Sequence, residues 1–444
     1  MNFFGKEYSF MVDRSIFLLP LAAFAIQAQT PADLSIQDAI RTAWSQQSGL
    51  QAGEAMVSKA RAEADAMRSL RLPTATLGVG FMRTDEPMMA FGTKLDQARI
   101  SQMDFMPSAL NHPNAIQGTG ATLTLSQPLY AGGRLDAARR AGAAMAGAEA
   151  ANQGHRKQQV ALAITQAYFG AQVAEQALRY AEDTLKQAIE TERFVLARVD
   201  QGLMLKSEGE RTRAYRAQSE AGVIEAKARV ASARSALNLL IGIDASSTTL
   251  STPVESGAGT ASIPGQRNDI QAARQQVLAA QEGVKAAVGS LKPEVGLQFI
   301  AGTMRQSWNT GGNWTTVNLG AKWTFSFSDT QRASAARAMA RAAELNVKWQ
   351  ESVASREVEE ARRAIQTAEA KITFAKTAVE ASESVRAIRT ARHREGLLPL
   401  VEVLDAESAL TGARTLLLAS QLDYRLGQAQ LALALGQPIE NVKE

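Results

Sequence analysis

LARVDQGLMLKSEGERTRAYRAQSEAGVIEAKARVASARSALNLLIG, residues 196–242, returns later in the chain as TARHREGLLPLVEVLDAESALTGARTLLLASQLDYRLGQAQLALALG, residues 390–436. Aligned without a gap, Ala197, Arg198, Gly202, Leu203, Glu208, Leu237, Leu239 and Gly242 meet Ala391, Arg392, Gly396, Leu397, Glu402, Leu431, Leu433 and Gly436. Self-similarity of this kind marks one structural unit used twice. Upstream, LRLPTATLGVGF (70–81) in the first half answers SLKPEVGLQFI (290–300) in the second. Each half therefore reads helix, strand, loop, strand, very long helical region. The first repeat is expected over 29–242 and the second over 267–444, joined by a Ser/Thr/Gly/Pro-rich linker at 243–266.

No proline interrupts residues 129–252, and none lies between Pro293 and Pro399. Ala167, Ala171, Ala174, Leu178, Ala181, Leu185 and Ala188 alternate spacings of four and three, and Ala361, Ile365, Ala368, Ile372, Ala375, Val379 and Ser382 repeat that rhythm. A period near 3.5 is a coiled-coil seam, and alanine on it lets helices approach closely. Long helices are expected over 131–241 and 329–436, turning back on themselves at Gly202 and at Gly396–Pro399. A single helix over 134–199 would reach about 100 Å at about 1.5 Å per residue.

The strands alternate strictly. Val317, Leu319, Ala321, Trp323, Phe325 and Phe327 interleave with Asn318, Gly320, Lys322, Thr324 and Ser326. Leu77, Val79 and Phe81, Leu123 and Leu125, and Val295, Leu297 and Phe299 follow the same rule. Period two over about ten residues fits a barrel wall with one face to lipid and one to water, and a half-buried sheet in a soluble protein remains the alternative. Trp308, Trp314 and Trp323 are candidates for an aromatic girdle. Loops are expected at 85–117 and 307–313. Four strands cannot close a membrane barrel, and unpaired amides in lipid cost several kcal/mol each. Strands in lipid would therefore require several chains. Three would give twelve strands.

Composition removes other classes. The 444 residues include no cysteine, so disulfides, zinc-thiolate sites and cysteine-linked lipid anchors are excluded. His112, His155 and His393 lie far apart. The 48 basic and 44 acidic residues are interspersed, without the basic cluster that a nucleic-acid partner needs. No HExxH or GxxxxGK[ST] occurs, and no catalytic, cofactor or metal constellation is expected. Met82, Met88, Met89, Met103 and Met106 gather near His112; thioethers can bind soft metals, but methionine more often fills irregular packing. SIFLLPLAAFAI (15–26) follows Lys6 and Arg14 and precedes Ala28, the pattern of a signal peptide over 1–28. An exported coiled-coil scaffold without channel activity would explain the heptads and the repeat, but not the alternating strands.

LSIQDAIRTAW (34–44), LPT (72–74), SQPLYAGGRLDAAR (126–139), RNDIQAARQQVLAA (267–280) and EGLLPLVEVLDAESAL (395–410) stand in this order on the duplicated frame. With them the chain resembles the TolC family of outer-membrane efflux proteins. The resemblance implies a mainly α fold with membrane β: a homotrimer sharing a twelve-stranded barrel, four strands per chain, continued by a long periplasmic helical coiled-coil barrel. It also implies a passive exit duct in the outer membrane, gated at its periplasmic end. Its partners would be outer-membrane lipid, a periplasmic adaptor (membrane fusion) protein and an inner-membrane pump of RND or ABC type, serving efflux or type I secretion. By the same resemblance Glu402 and Asp405 match the acidic pore constriction, and Gly202, Leu203, Gly396 and Leu397 lie at adaptor-docking tips. His393 and Leu398 fall at the family's latch positions without matching its residue types. The second strand-to-helix junction, WTFSFSDTQRASAAR (323–337), departs from the family by lacking Pro-Leu and Gly-Gly.

Overall fold

A computed structural model describes residues 33–255, 265–307 and 310–439. The expected signal peptide at 1–28, linker residues 256–264 and Trp308 lie outside the described residues. In chain order the elements are β1 (Asp33–Leu34), α1 (Ile36–Gln46), α2 (Ser48–Ser69), β2 (Thr74–Thr84), α3 (Pro87–Asp96), α4 (Pro107–Asn111) and β3 (Ile116–Ala131). Then follow α5 (Arg134–Asp200), α6 (Lys206–Ile241), β4 (Thr249–Leu250), α7 (Asn268–Gly289), β5 (Glu294–Ser307), β6 (Thr310–Lys322), α8 (Phe327–Arg394) and α9 (Leu400–Ala434).

The two long helices, α5 with 67 residues and α8 with 68, each run about 100 Å at about 1.5 Å per residue. All fourteen positions of the two predicted seams are buried or half-buried. Alanine dominates the seams, so α6 packs closely and antiparallel on the C-terminal half of α5 and α9 on that of α8, while α2 and α7 pack against the rest of α5 and α7 against the rest of α8. Among the described residues no helix is long and apolar enough to cross a membrane.

Four strands form one antiparallel sheet in the order β2-β3-β5-β6, so the hairpin of each half joins the other through β3 and β5. The register puts Leu77, Leu123, Ala301 and Thr315 in one row and Ala75, Leu125, Phe299 and Val317 in the next. Directly opposed residues share a face, so these rows build one apolar surface. That surface is bare: Leu77 is 73% exposed, Val79 70%, Val317 67% and Leu319 70%. The other face carries Thr76, Thr124 and Thr316 with glycines 78, 80, 118, 120, 302 and 312. Pro128 and the bulge at Leu129 lie beyond the last β2–β3 pair, Thr74–Ser126.

Several expectations are corrected. The alternation over 317–327 outlasts the strand, which ends at Lys322 where its partner Glu294 begins β5; α8 already starts at Phe327. Strand pairing runs into the expected loop 307–313, with β5 and β6 paired as far as Ser307–Thr310. Trp314 belongs to the polar face, packed over Gly302, and so cannot join a lipid-side girdle. Trp323 donates from its indole to Leu291 O at 3.0 Å and is exposed beside Phe325 and Phe327, which meet edge to face. The segment 85–117 is structured, with α3, a 3-10 turn at Gln102–Phe105, and α4. Its Met88, Met103 and Met106 are exposed rather than packed.

The first strand-to-helix junction turns on Gly132 and Gly133, both with positive φ. The second reaches the same end differently: Ser326 caps α8 by accepting a hydrogen bond from Ser328 N. A side-chain cap thus replaces the glycine turn.

Midway along the helices lies the principal core, including Leu34, Ile40, Ile164, Tyr168, Phe169, Leu237, Ile241 and Ala432. The described part of the expected linker is clamped to it. β4 pairs in parallel with β1, Tyr168 OH donates to Leu34 O and accepts from Thr252 N, and Gln172 Nε2 donates to Leu250 O and Thr252 O. Arg425 donates to Pro253 O and Val254 O while its guanidinium covers the Phe169 ring. Polar composition made this stretch resemble a free connection, yet its carbonyls are satisfied by side chains from three helices, with Arg234 of α6 donating to Ala245 O and Thr248 O.

Candidate channel constriction and tip turns

Both helix returns are built alike. At the end of α5, Gly202 N donates to Val199 O at 2.9 Å and Leu203 N to Arg198 O at 2.8 Å. At the end of α8, Gly396 N donates to His393 O and Leu397 N to Arg392 O, both at 2.9 Å. These are Schellman motifs, which need a left-handed residue at the first position beyond the cap. Gly202 (φ 72°) and Gly396 (φ 80°) supply it. With the backbone satisfied, the leucines point outward: Leu203, Leu205 and Leu397 are 65%, 71% and 69% exposed.

The two tips are also tied together, through Phe194 and the Arg394 carbonyl, which the sequence did not single out. Arg198 covers the Phe194 ring at 4.9 Å and donates to Arg394 O at 3.0 Å. His393 is buried edge-on to Phe194, and its Nδ1–H donates to Leu398 O at 2.8 Å. A carbonyl only accepts, so Nδ1 carries the proton. His393 and Leu398 thus bond to each other and brace the α8–α9 return.

Just inside the tip, Glu402 and Asp405 stand on the first turns of α9. Glu402 is half-buried and paired with Arg389, its carboxylate 2.9 Å from Nη1, which also donates to the Glu402 carbonyl. Asp405 is exposed in a groove between α5, α6 and α9 that Arg211 also lines. The two carboxylates are therefore unequal: one has a cation on its own chain, the other faces the groove. Glu208, the repeat-related acid of α6, is half-buried, its Oε2 enclosed and without a hydrogen-bond partner among the described residues.

A third acid, Glu407, is buried on the same helix, 3.6 Å from Arg386 Nη1. Burial pushes its pKa up, against the pull of Arg386 and Arg414. Burial and the Glu407 charge push the neighbouring Tyr215 up to about 12. A carboxyl raised above its unfolded value contributes stability that is full below the ordinary carboxylate range and is lost as pH rises through the folded value. Glu407→Gln is thus expected to stabilise the protein increasingly from acid to neutral pH. Arg386→Met leaves the buried carboxylate with less compensation and is expected to cost about 3 kcal/mol at neutral pH. Urea unfolding in detergent across pH, followed by circular dichroism, checks both.

The profile of the family described as outer membrane efflux protein matches residues 39–243 and 262–437. The fold is similar to that of the CmeC outer membrane channel of Campylobacter jejuni, with a TM-score of 0.79 at 17% identity, covering 90% of this chain and 85% of that one. VceC of Vibrio cholerae gives a TM-score of 0.76 at 20% identity over 91% and 96% of the two chains. The open-state MtrE channel of Neisseria gonorrhoeae gives 0.76 at 19% identity over 91% and 89%. No curated protein matches the sequence. The two stretches covered by the profile are the two halves of the repeat, each carrying its strand hairpin and long helical return, and the chain belongs to the outer membrane efflux protein family, channels of the outer membrane with a large periplasmic helical part.

Proposed function

We propose that this protein is the passive outer-membrane exit duct of a tripartite efflux or type I secretion system, working as a homotrimer gated at its periplasmic end. The observation that carries the reading is the four-stranded sheet. Its apolar face is bare over all four strands, while β2 and β6 have no further strand beside them among the described residues. Such edges are untenable in lipid unless another copy pairs with them. Three copies close twelve strands.

In this reading segment 85–117 is extracellular, because it joins two membrane strands at the end away from the long helices. The helical returns are the periplasmic tips. The exposed leucines there and the satisfied turn backbone support a role for Gly202, Leu203, Gly396 and Leu397 in docking a periplasmic adaptor, which links the duct to an inner-membrane pump. Glu402 and Asp405 form the acidic constriction. The neighbour MtrE is described in an open state, and a corresponding opening here would separate α9 from the α5–α6 pair. Membranes should release the protein only into detergent, as a trimer by light scattering, and deleting it should abolish export by its pump. A monomer extracted by salt alone would refute the reading.

A further inference from the structure

We infer that α3 and the turn after it form a size-limiting collar inside the extracellular mouth of the barrel, an inference that rests on the duct proposed above. Before the bulge in β3, the apolar face of the sheet carries the odd-numbered residues of all four strands, so the even-numbered face is the lumen wall. Segment 85–117 does not extend outward from the strand ends; it folds back onto that wall. Gln97 is fully buried, and its Nε2 donates to Gln117 O on β3 at 2.8 Å. A β-carbon at Gly118 would lie 2.5 Å from the same Nε2. On the far strand, a β-carbon at Gly312 would collide with the Asp96 carbonyl. Gly118 and Gly312 both belong to the even face, so the two glycines leave room on the lumen wall for the loop to lie flat.

The seat is built rather than incidental. Ala90 and Thr93 on α3 are buried. Ala98 is the one non-glycine residue with positive φ among the described residues, at 55°. Side chains seldom adopt that conformation unless their surroundings enforce it. Arg99 Nη1 donates to Gln97 Oε1 at 3.1 Å, holding the amide in its seat. Lys94 pairs with Asp104 at 2.6 Å, and Asp104 also accepts from Ser101 N and Oγ, so the 3-10 turn at Gln102–Phe105 is fastened to α3. Lys94 and Ser101 together hold the Asp104 carboxyl at about 2. Three such segments facing one axis would narrow the outer opening and set the largest cargo that passes.

The native chain has no cysteine, so single cysteines can report access to each compartment. Met88→Cys, at a position 82% exposed on the loop, and Thr124→Cys, on the lumen face below the collar, would be probed on intact cells with maleimides carrying short and long polymer chains. Both reagents should label Met88→Cys; failure there overturns the extracellular placement and with it the duct reading. At Thr124→Cys the short reagent should react and the long one should not. Adding Gln97→Ala, or Gly118→Val with Gly312→Val, should unseat the loop and restore labelling by the long reagent. Gln97→Ala removes a side chain without adding bulk, so it remains informative if the valine pair fails to assemble. Long-reagent labelling of Thr124→Cys with the native loop, or continued exclusion after Gln97→Ala in an assembled trimer, overturns the collar while leaving the duct intact.

Discussion

A Leu397→Asp protein is expected to reach the outer membrane, assemble as the proposed trimer and export nothing. Leu397 enters the α8–α9 return through its backbone, whose N–H satisfies Arg392 O, while its side chain is 69% exposed. Substitution at such a surface position normally changes stability by about 0.5 kcal/mol or less. In a docked complex the leucine would instead be covered by the adaptor. Burying an unpaired carboxylate there costs several kcal/mol, and each 1.4 kcal/mol is about tenfold in affinity. Gly202→Pro attacks the other return through its backbone. Proline fixes φ near −65° and removes the N–H, whereas Gly202 stands at 72° and donates to Val199 O. It should abolish export too, with some loss of tip stability. Export assays run beside trimer yields in detergent test the pair, and full export by either variant removes its tip from the interface.

Replacing Glu402 with Gln and Asp405 with Asn together is expected to abolish the cation preference that the proposed acidic constriction would give the channel in planar bilayers. Side-chain volume is kept while the proposed trimer loses all six carboxylates of the proposed constriction. In a narrow, partly desolvated passage like charges act over several ångströms with little screening. The geometry ranks the single variants. Among the described residues Asp405 has no ion pair, so Asp405→Asn should carry most of the loss. Arg389→Gln should act in the opposite sense, because it leaves the Glu402 carboxylate uncompensated and strengthens cation preference. That pair is more than a third exposed and worth about 0–1 kcal/mol, so its loss should leave the trimer intact. Glu208→Gln, in the half where Arg211 occupies the place of the second acid, should change selectivity less. Reversal potentials across a salt gradient read all four, and an unchanged value in the double variant would move the constriction elsewhere.

The helical part was legible because its physics is periodic: an alanine seam of period 3.5 states both the helix and the face it buries. The faces of the sheet were equally legible in Leu77, Val79, Val317 and Leu319, where alternation is the signature of a two-faced wall. The ends of strands were not. Trp323 to Phe327 keep the alternation after the hydrogen-bonding partner has run out, and only register shows that Lys322 is the last paired residue. Charge compensation was hidden for a related reason. Arg389 and Glu402, or Arg386 and Glu407, stand on different helices and meet only because the return at Gly396 folds one against the other. The seat of Gln97 against Gly118 depends on a loop folding inward, for which the sequence carries no repeating signal.

The join between β3 and β5 has a consequence for how the protein comes into being. β2–β3 and β5–β6 are local hairpins, each available as soon as its own half is synthesised, whereas Leu123 must wait for Ala301. The order of bond formation is thereby layered: hairpin, then sheet, then, in the proposed trimer, closure between copies. Until the last layer forms, every newly made chain carries two unsatisfied strand margins beside a bare apolar wall, and the nearest partner able to satisfy them is any other unfinished chain. Misassembly is therefore a bimolecular hazard that grows with the rate of synthesis, and the yield of finished ducts should be limited by crowding of immature chains rather than by the intrinsic stability of the helices.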